Sequence, residues 1–381
     1  MEVLTKRMEY INVFEKIGYG KEITDERLDI IFETLFYGTK DERIYHESGD
    51  DMGYMVDTGN IDVRTEGMSY GMMMCVQMDK KKEFDRIWKW AKTYMYMDDG
   101  ENKGFFAWSC DLNGEKNAYG PAPDGEEYFA MALFFAAHRW GNGEGIFNYE
   151  KEAQIILHDM VHKGEKDGVG RSMFDRDNKM IRFICEVDFS DPSYHLPHFY
   201  ELFAKWAAEE DRDFFKSAAK ASREYLKKAC HPDTGMSAEY AHYDGRPYDD
   251  DTTTWGRHDW YYSDAYRTIM NICLDYSWFK ADEWEKSIAE TFADNFVNKI
   301  GFDNWNHIFM IDGTMLDENA LHPTAIIATN AMTALASYNL NTEQCLKKFF
   351  DTPLRSGDRR YYDNCLYFFC FMALSGNYRI Y

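Results

Sequence analysis

An all-α fold, an (α/α)6 barrel, is what the sequence predicts, and three observations predict it. Segments with a single apolar stripe alternate with segments apolar all round, there are six of each, and the connections between them are alternately short and long. A helix apolar on one face is covered from one side only. One that is apolar all round must be enclosed, so the alternation implies an inner ring wrapped by an outer one. An open solenoid also alternates faces but keeps a near-constant repeat, whereas here the inner helices start near residues 66, 124, 192, 262, 323 and 358. No Gly/Pro/Ser-rich linker or shift in composition divides the chain, so one barrel domain over residues 1–381 is expected.

Taken in order, residues 24–37 carry Leu28, Ile31, Phe32 and Leu35 at helical spacing, opened by Thr24 or Asp25, and form the first outer helix. Residues 66–78 are apolar all round after Glu66, and 82–96 return to a stripe of Phe84, Ile87, Trp88, Ala91 and Met95. The run 124–140, with Tyr128 to Phe135 unbroken, is again inner; 149–162 (Tyr149, Ala153, Ile156, Met160) is outer. The same pairing continues with 192–208 and 211–228, 262–274 and 281–299, 323–338 and 342–350, and closes on the dense run 358–374. The few strand-like pieces, such as Ile181–Ile184, fit within loops.

Composition narrows the class of function. With 17% aromatic and 45% hydrophobic residues the chain buries a large core. Its net charge of -23 argues against nucleic acid or an anionic membrane as partner, because polyphosphate binding needs clustered Lys and Arg. Charges at Glu2, Lys6, Arg7, Glu9, Glu15 and Lys16 leave no apolar stretch for a signal peptide or membrane span within residues 1–18, so a cytoplasmic location is expected. The eight cysteines include no CxxC pair and several sit in apolar helical runs, which reads as buried free thiols.

Loop length locates the active end. Inner-to-outer connections are short (79–81, 141–148, 209–210), whereas outer-to-inner ones are long (38–65, 97–123, 163–190, 229–260, 300–321), so the long loops share one rim with the N-termini of the inner helices. That rim collects Glu66, Asp124, Asp191, Tyr194, Asp264, His322 and the run Asp358 to Tyr362, with Trp108, Trp255, His258, Trp260 and Tyr261 in its loops. Asp191 before Pro192 is an ordinary N-cap with proline at N1. Asp124 with Glu127 has the spacing of a capping box, and Ser263 is a better cap than Asp264. Three acids and a set of aromatic rings at one mouth nonetheless point to sugar chemistry: rings stack on sugar faces, acids read hydroxyls, and two carboxylates cut a glycosidic bond. The histidines are read as showing no HExxH or similar ligand spacing, and no metal or other cofactor is expected.

Three segments also carry a resemblance: Arg64-Thr65-Glu66-Gly67-Met68-Ser69-Tyr70-Gly71-Met72, Pro121-Ala122-Pro123-Asp124-Gly125-Glu126-Glu127-Tyr128-Phe129 and Tyr262-Ser263-Asp264-Ala265-Tyr266-Arg267. They resemble the motif segments of glycoside hydrolase family 8, and the likeness extends to Phe106-Ala107-Trp108 and Ser193-Tyr194-His195. The second segment departs from the glucanase pattern at Pro123 and Glu126 and is more similar to the xylan-acting branch. Asn319-Ala320-Leu321-His322-Pro323 resembles the inserted Leu-His-Pro loop of the exo-oligoxylanases that release xylose from reducing ends.

The resemblance implies an (α/α)6 barrel that hydrolyses β-1,4-xylosidic bonds of xylo-oligosaccharides with inversion, one xylose at a time from the reducing end. It implies Glu66 as general acid, Asp264 as general base and Asp124 as the acid that holds the distorted sugar. Tyr194 and Arg267 would orient the water and the base, Trp108 and Tyr361 would offer stacking faces, and His322 would meet the terminal sugar. Three other readings stay open: an endo-xylanase of the same family, a sugar epimerase or isomerase relying on paired histidines at the mouth, and an oligosaccharide-binding barrel without catalysis.

Overall fold

A ring is closed when its last member touches its first, and the inner helices here do so. The structure, a computed structural model, describes residues 10–381. Its principal helices are α1 (Lys21–Tyr37), α2 (Thr65–Gln77), α3 (Lys81–Trp90), α4 (Pro123–Trp140), α5 (Tyr149–His162), α6 (Pro197–Trp206), α7 (Arg212–Ala229), α8 (Tyr266–Phe279), α9 (Glu283–Asp294), α10 (Pro323–Ala331), α11 (Leu340–Asp351) and α12 (Arg360–Leu374). Helix α2 packs on α4, α4 on α6, α6 on α8, α8 on α10, α10 on α12, and α12 back on α2. Outside them α3, α5, α7, α9 and α11 each cover the inner helix that precedes them, while α1 packs on α12 and joins the two ends of the chain. This is the (α/α)6 barrel.

Burial follows the two sequence types. Every residue of α2 except Glu66 is buried, as are Pro123–Ala137 of α4 and the whole of α12. The outer α5 instead buries Tyr149, Ala153, Ile156, Leu157, Met160 and Val161, one stripe at helical spacing. All eight cysteines are buried and free. Among the described residues no helix is long and apolar enough to cross a membrane. The leader expectation rests partly on residues 1–9, which lie outside the described span.

Several helices are shorter than their apolar pattern. The segment expected over 192–208 splits into a 3-10 turn, Pro192–Tyr194, and α6 from Pro197, because the proline disfavours a helical residue before it and cannot donate to the ladder. Helices α3 and α9 end in π-helical turns, Ala91–Met95 and Asn295–Ile300. Helix α10 stops at Ala331 and a separate short helix, Thr333–Ala336, follows. Asp358 lies outside α12, since Arg359 takes a left-handed φ of 59° and the helix starts at Arg360. The long loops carry the strands: Tyr45–Ser48 with Met52–Met55, Val63–Arg64 with Ser109–Cys110, and a three-stranded sheet of Trp260–Tyr261, His307–Met310 and Met315–Asn319. Near Ile181–Ile184 there is a single bridge, Phe174 to Ile181.

Candidate active site

Arg267, in the first turn of α8, is the hub of the inner mouth. Its side chain is buried, and Nη1 donates to Glu66 Oε2 at 2.8 Å, to Asp124 Oδ2 at 3.0 Å and to the Tyr70 hydroxyl at 3.0 Å. Nη2 lies 3.1 Å from Asp264 Oδ1 and 3.8 Å from Asp191 Oδ2. One guanidinium thus faces four carboxyls. A single cation offsets one negative charge, and burial of the remainder favours protonation. Burial pushes Glu66 up to about 7; the neighbouring Asp124 and Asp264 add to the rise, while Arg267 and the Tyr361 hydroxyl oppose it. Burial likewise pushes Asp124 up to about 6 and Asp191 well above the usual carboxylate range. Of the four side chains Asp264 is the most open, 28% exposed against 15% for Glu66, 7% for Asp124 and none for Asp191, so it is the one that meets water.

The acids converge because two glycines let helix ends meet. A Cβ on Gly67 would lie 2.7 Å from the ring and hydroxyl of Tyr361, and one on Gly125 would lie 2.4 Å from Thr65. Without those side chains the first turns of α2, α4 and α12 stack directly, and Tyr361 OH donates to Glu66 Oε1 at 2.7 Å. Thr65 N also donates to Trp108 O at 2.9 Å, which fixes the Trp108 loop beside Glu66. Asp264 is set differently. It stands in a 3-10 turn, Ser263–Ala265, ahead of α8, and Ser263 holds φ at 38°, a strained value for a residue with a side chain. Tyr362 OH donates to the Ser263 carbonyl at 3.0 Å, and Asp264 N donates to Glu239 Oε1 at 3.4 Å. Glu239 is in turn held by His258 Nδ1 at 2.8 Å. Burial pushes its carboxyl up to about 7, against the opposing bond from His258.

Two halves of one cleft meet at this pair. The larger, about 390 Å³, is walled by Trp108, Phe183, Tyr194, Tyr240 and Trp255; the smaller, about 270 Å³, by Asp57, Asn60, Tyr262, Leu321, His322 and Arg359, with Tyr361 and Tyr362. Arg64, Glu66 and Asp264 line both. Arg64 Cζ sits 5.3 Å from the centre of the Trp108 ring, and Arg267 Cζ 5.4 Å from that of Tyr194. In the lining of the smaller half, His322 Nδ1 faces the buried Asp363 Oδ2 at 3.4 Å and its ring meets Tyr362 edge-on at 4.9 Å. Asp363 Oδ1 accepts from Ala325 N at 2.7 Å, and Arg355 donates both to Asp363 and to the Leu321 carbonyl. One buried carboxylate therefore anchors the loop 321–323 from three directions.

The structure brings together the residues assigned roles from the sequence: Glu66, Asp124, Asp264, Trp108, Tyr194, Arg267, His322 and Tyr361 all line the cleft, whereas the rim residues Asp191, His258, Trp260, Tyr261, Asp358 and Arg360 do not. Four expectations change. Tyr361 is not a stacking face: its ring is buried against Gly67 and its hydroxyl serves Glu66. Asp124 and Glu127 form no capping box, since Asp124 Oδ2 goes to Arg267 and Glu127 accepts from Tyr200. Asp191 does cap, accepting from Ser193 N at 2.6 Å, yet its other oxygen turns to Arg267. The histidine spacing passed over on α5 is real, for His158 and His162 stand four apart beside Asp211. Phe183, Glu239, Tyr240 and Asp363 escape a reading by motif because each is an ordinary helix or loop residue until the loops fold over one another, while Tyr70, within the first motif segment, and Arg359, within the rim run, carry no role that spacing assigns. A buried acid inside an apolar run, as at Asp363, is the one signal the sequence offers for any of them.

Residues 47–376 match the model of the glycosyl hydrolases family 8. The chain is 54% identical to a reducing end xylose-releasing exo-oligoxylanase of Halalkalibacterium halodurans over 98% of its own length and 94% of that protein's. It is 52% identical to the reducing-end xylose-releasing exo-oligoxylanase Rex8A of Paenibacillus barcinonensis, over 98% of this chain and 97% of the relative. The structure of Rex8A complexed with xylose superposes with a TM-score of 0.95, covering 98% of this chain and 97% of that one.

Proposed function

From the premise that this chain belongs to glycoside hydrolase family 8, we propose that it hydrolyses β-1,4-xylosidic bonds in xylo-oligosaccharides and releases xylose from the reducing end. The observation that carries the reading is the make-up of the cleft: a larger aromatic half and a smaller polar half, whose lining includes Leu321 and His322, meet at Glu66 and Asp264. The non-reducing part of the chain lies along the rings, and the single sugar beyond the scissile bond fills the polar half.

In this mechanism Glu66, held protonated near neutrality by its burial, donates to the glycosidic oxygen as the bond breaks. Asp264 takes a proton from a water that attacks the anomeric carbon from the opposite face, so the product inverts. Arg267 fixes both carboxyls, and Asp124, bonded to it, holds the sugar at the cleavage point in a distorted ring. Tyr194 lies beside Arg267 and Asp264 and positions the water. One catalytic barrel domain over residues 1–381, working in the cytoplasm without a cofactor, completes the proposal. Of the histidines, His322 is the one that lines either half among the described residues, which speaks against an epimerase built on paired histidines.

A xylotetraose labelled at its reducing end tests the reading. Labelled xylose should appear first with labelled xylobiose absent, and time-resolved NMR should show the unlabelled xylotriose forming with its new reducing end as the α anomer. Labelled di- and trisaccharides would make the enzyme an endo-xylanase, a β anomer would make it retaining, and an unchanged substrate would leave a binding protein.

A further inference from the structure

The outer wall of the barrel gathers metal-ligand side chains that the cleft does not use. His158 and His162 leave the same face of α5, four residues apart. Between their rings lies the carboxylate of Asp211, the residue just before α7, with no solvent exposure. His158 Nδ1 is 3.1 Å from Asp211 Oδ2 and His162 Nε2 is 2.7 Å from Asp211 Oδ1; the ring centres are 4.5 Å apart. One ligand atom from each residue lies within 4.8 Å of the others.

The far side of His162 is arranged as well. Its Nδ1 faces the Glu165 carboxylate, and Glu165 is held by Arg176 at 2.9 Å. A carboxylate on the outer nitrogen of an imidazole keeps a proton on Nδ1, so that an ion replacing the proton shared between Nε2 and Asp211 Oδ1 meets the Nε2 lone pair. His158 and His162 are 34% and 28% exposed, so an ion and a water have a path in from solvent while the carboxylate beneath them does not.

We propose that His158, His162 and Asp211 form a site for a divalent transition ion of the zinc class, which clips the C-terminal end of α5 to the start of α7. Two imidazole nitrogens and one carboxylate oxygen are the donor set that suits zinc over calcium or magnesium, with water completing four-coordination. The ion stands where protons now bridge the two rings to Asp211. Its work is structural. None of its ligands lines the cleft, and it ties together the outer helices that cover α4 and α6.

The test uses the full chain stripped with a chelator and dialysed into metal-free buffer. Calorimetric titration with Zn²⁺ should show one saturable equivalent, and Co²⁺ should give the visible absorption of a four- or five-coordinate site. At a free Zn²⁺ concentration a hundredfold above Kd the melting temperature should rise by roughly 3 °C. His158→Gln and His162→Gln should each abolish the Co²⁺ spectrum and the thermal shift, with circular dichroism checking that the fold is kept. Glu165→Gln should weaken binding by about 10-fold, a loss that follows only if His162 binds through Nε2. Absence of saturable binding in the parent, or binding that survives both histidine changes, overturns the site. A thermal shift unchanged in those two variants would show that the ion acts elsewhere on the chain and overturns it equally.

Discussion

The two halves of the cleft are made of opposite materials. The walls of the larger half are rings that brace one another: Phe183 and Tyr240 lie 4.1 Å apart, and Trp255 meets Phe183 edge-on at 5.9 Å. The smaller half exposes more polar than apolar surface, and its polar groups are held by other polar groups. Asp57 accepts from Gly59 N at 2.8 Å and from Asn60 Nδ2 at 2.7 Å, and His322 leans on Asp363. Rings grip any sugar face and tolerate length and register, whereas fixed hydrogen-bonding groups recognise one end group and leave a cost when it is missing. The difference teaches how exo action is divided in the proposed reading: tolerance is built on one side of Glu66 and selection on the other.

The largest effect should come from the boundary between the halves. Glu66→Gln and Asp264→Asn each remove one proton-transfer partner and little packing, so kcat/KM on xylotriose should fall by about 10²- to 10⁴-fold with the melting curve nearly unchanged. A variant that stays within tenfold of the parent would remove that residue from the catalytic pair. Next comes the polar half. His322→Ala should slow xylose release by about tenfold to hundredfold, the range for a hydrogen bond lost to substrate, and labelled xylobiose should begin to appear. Asp363→Asn should give a milder version of the same change, because it loosens the loop without touching the sugar. If His322→Ala alters the rate and leaves product lengths as they were, selection does not lie in this loop. The aromatic half should answer more softly: Trp255→Ala should raise KM by about 2- to 10-fold at constant product identity. A change in product length there would break the division between the halves.

How much of this was legible in the sequence depends on whether a residue acts through a motif or through an encounter. The barrel was legible because all-round apolar runs such as Tyr128 to Phe135 have only one way to be buried. The acids were legible because Glu66, Asp124 and Asp264 each stand where an apolar inner helix begins. Two of the corrections and one missed residue share one cause: a side chain that looked local had partners brought to it by the fold. Tyr361 reads as a rim aromatic until Gly67, almost 300 residues earlier, opens the space for its hydroxyl to reach Glu66. Asp191 reads as a cap, and is one, but its second oxygen turns to an arginine that arrives 76 positions later. Asp363 shows nothing beyond an acid in an apolar run until Arg355 and the loop at Leu321 close over it. Glycine clearances and strained turns such as Ser263 are properties of packed backbones, and spacing carries no trace of them.

The smallest predicted effect is a shift along the pH axis, and its sign tests the boundary from both sides. Glu66 must carry a proton to act as acid, so the alkaline limb of kcat/KM reports its titration in the free enzyme, and activity should fall as pH rises through about 7. Two neighbours push that limb in opposite directions. The Asp124 carboxylate raises the Glu66 value as a like charge, so Asp124→Asn should move the limb to lower pH. The Tyr361 hydroxyl donates to Glu66 Oε1 and stabilises the charged form, so Tyr361→Phe should move it to higher pH. Both variants lose rate, but the position of a limb is read from the shape of the profile and not from its height, which separates the electrostatic role from damage to the site. Opposite shifts would place the titrating acid between these two neighbours, where Glu66 stands. Shifts in the same direction, or a limb that stays fixed in both, would mean that another group, with Glu239 the first to examine since it too is pushed up to about 7, sets the alkaline limb.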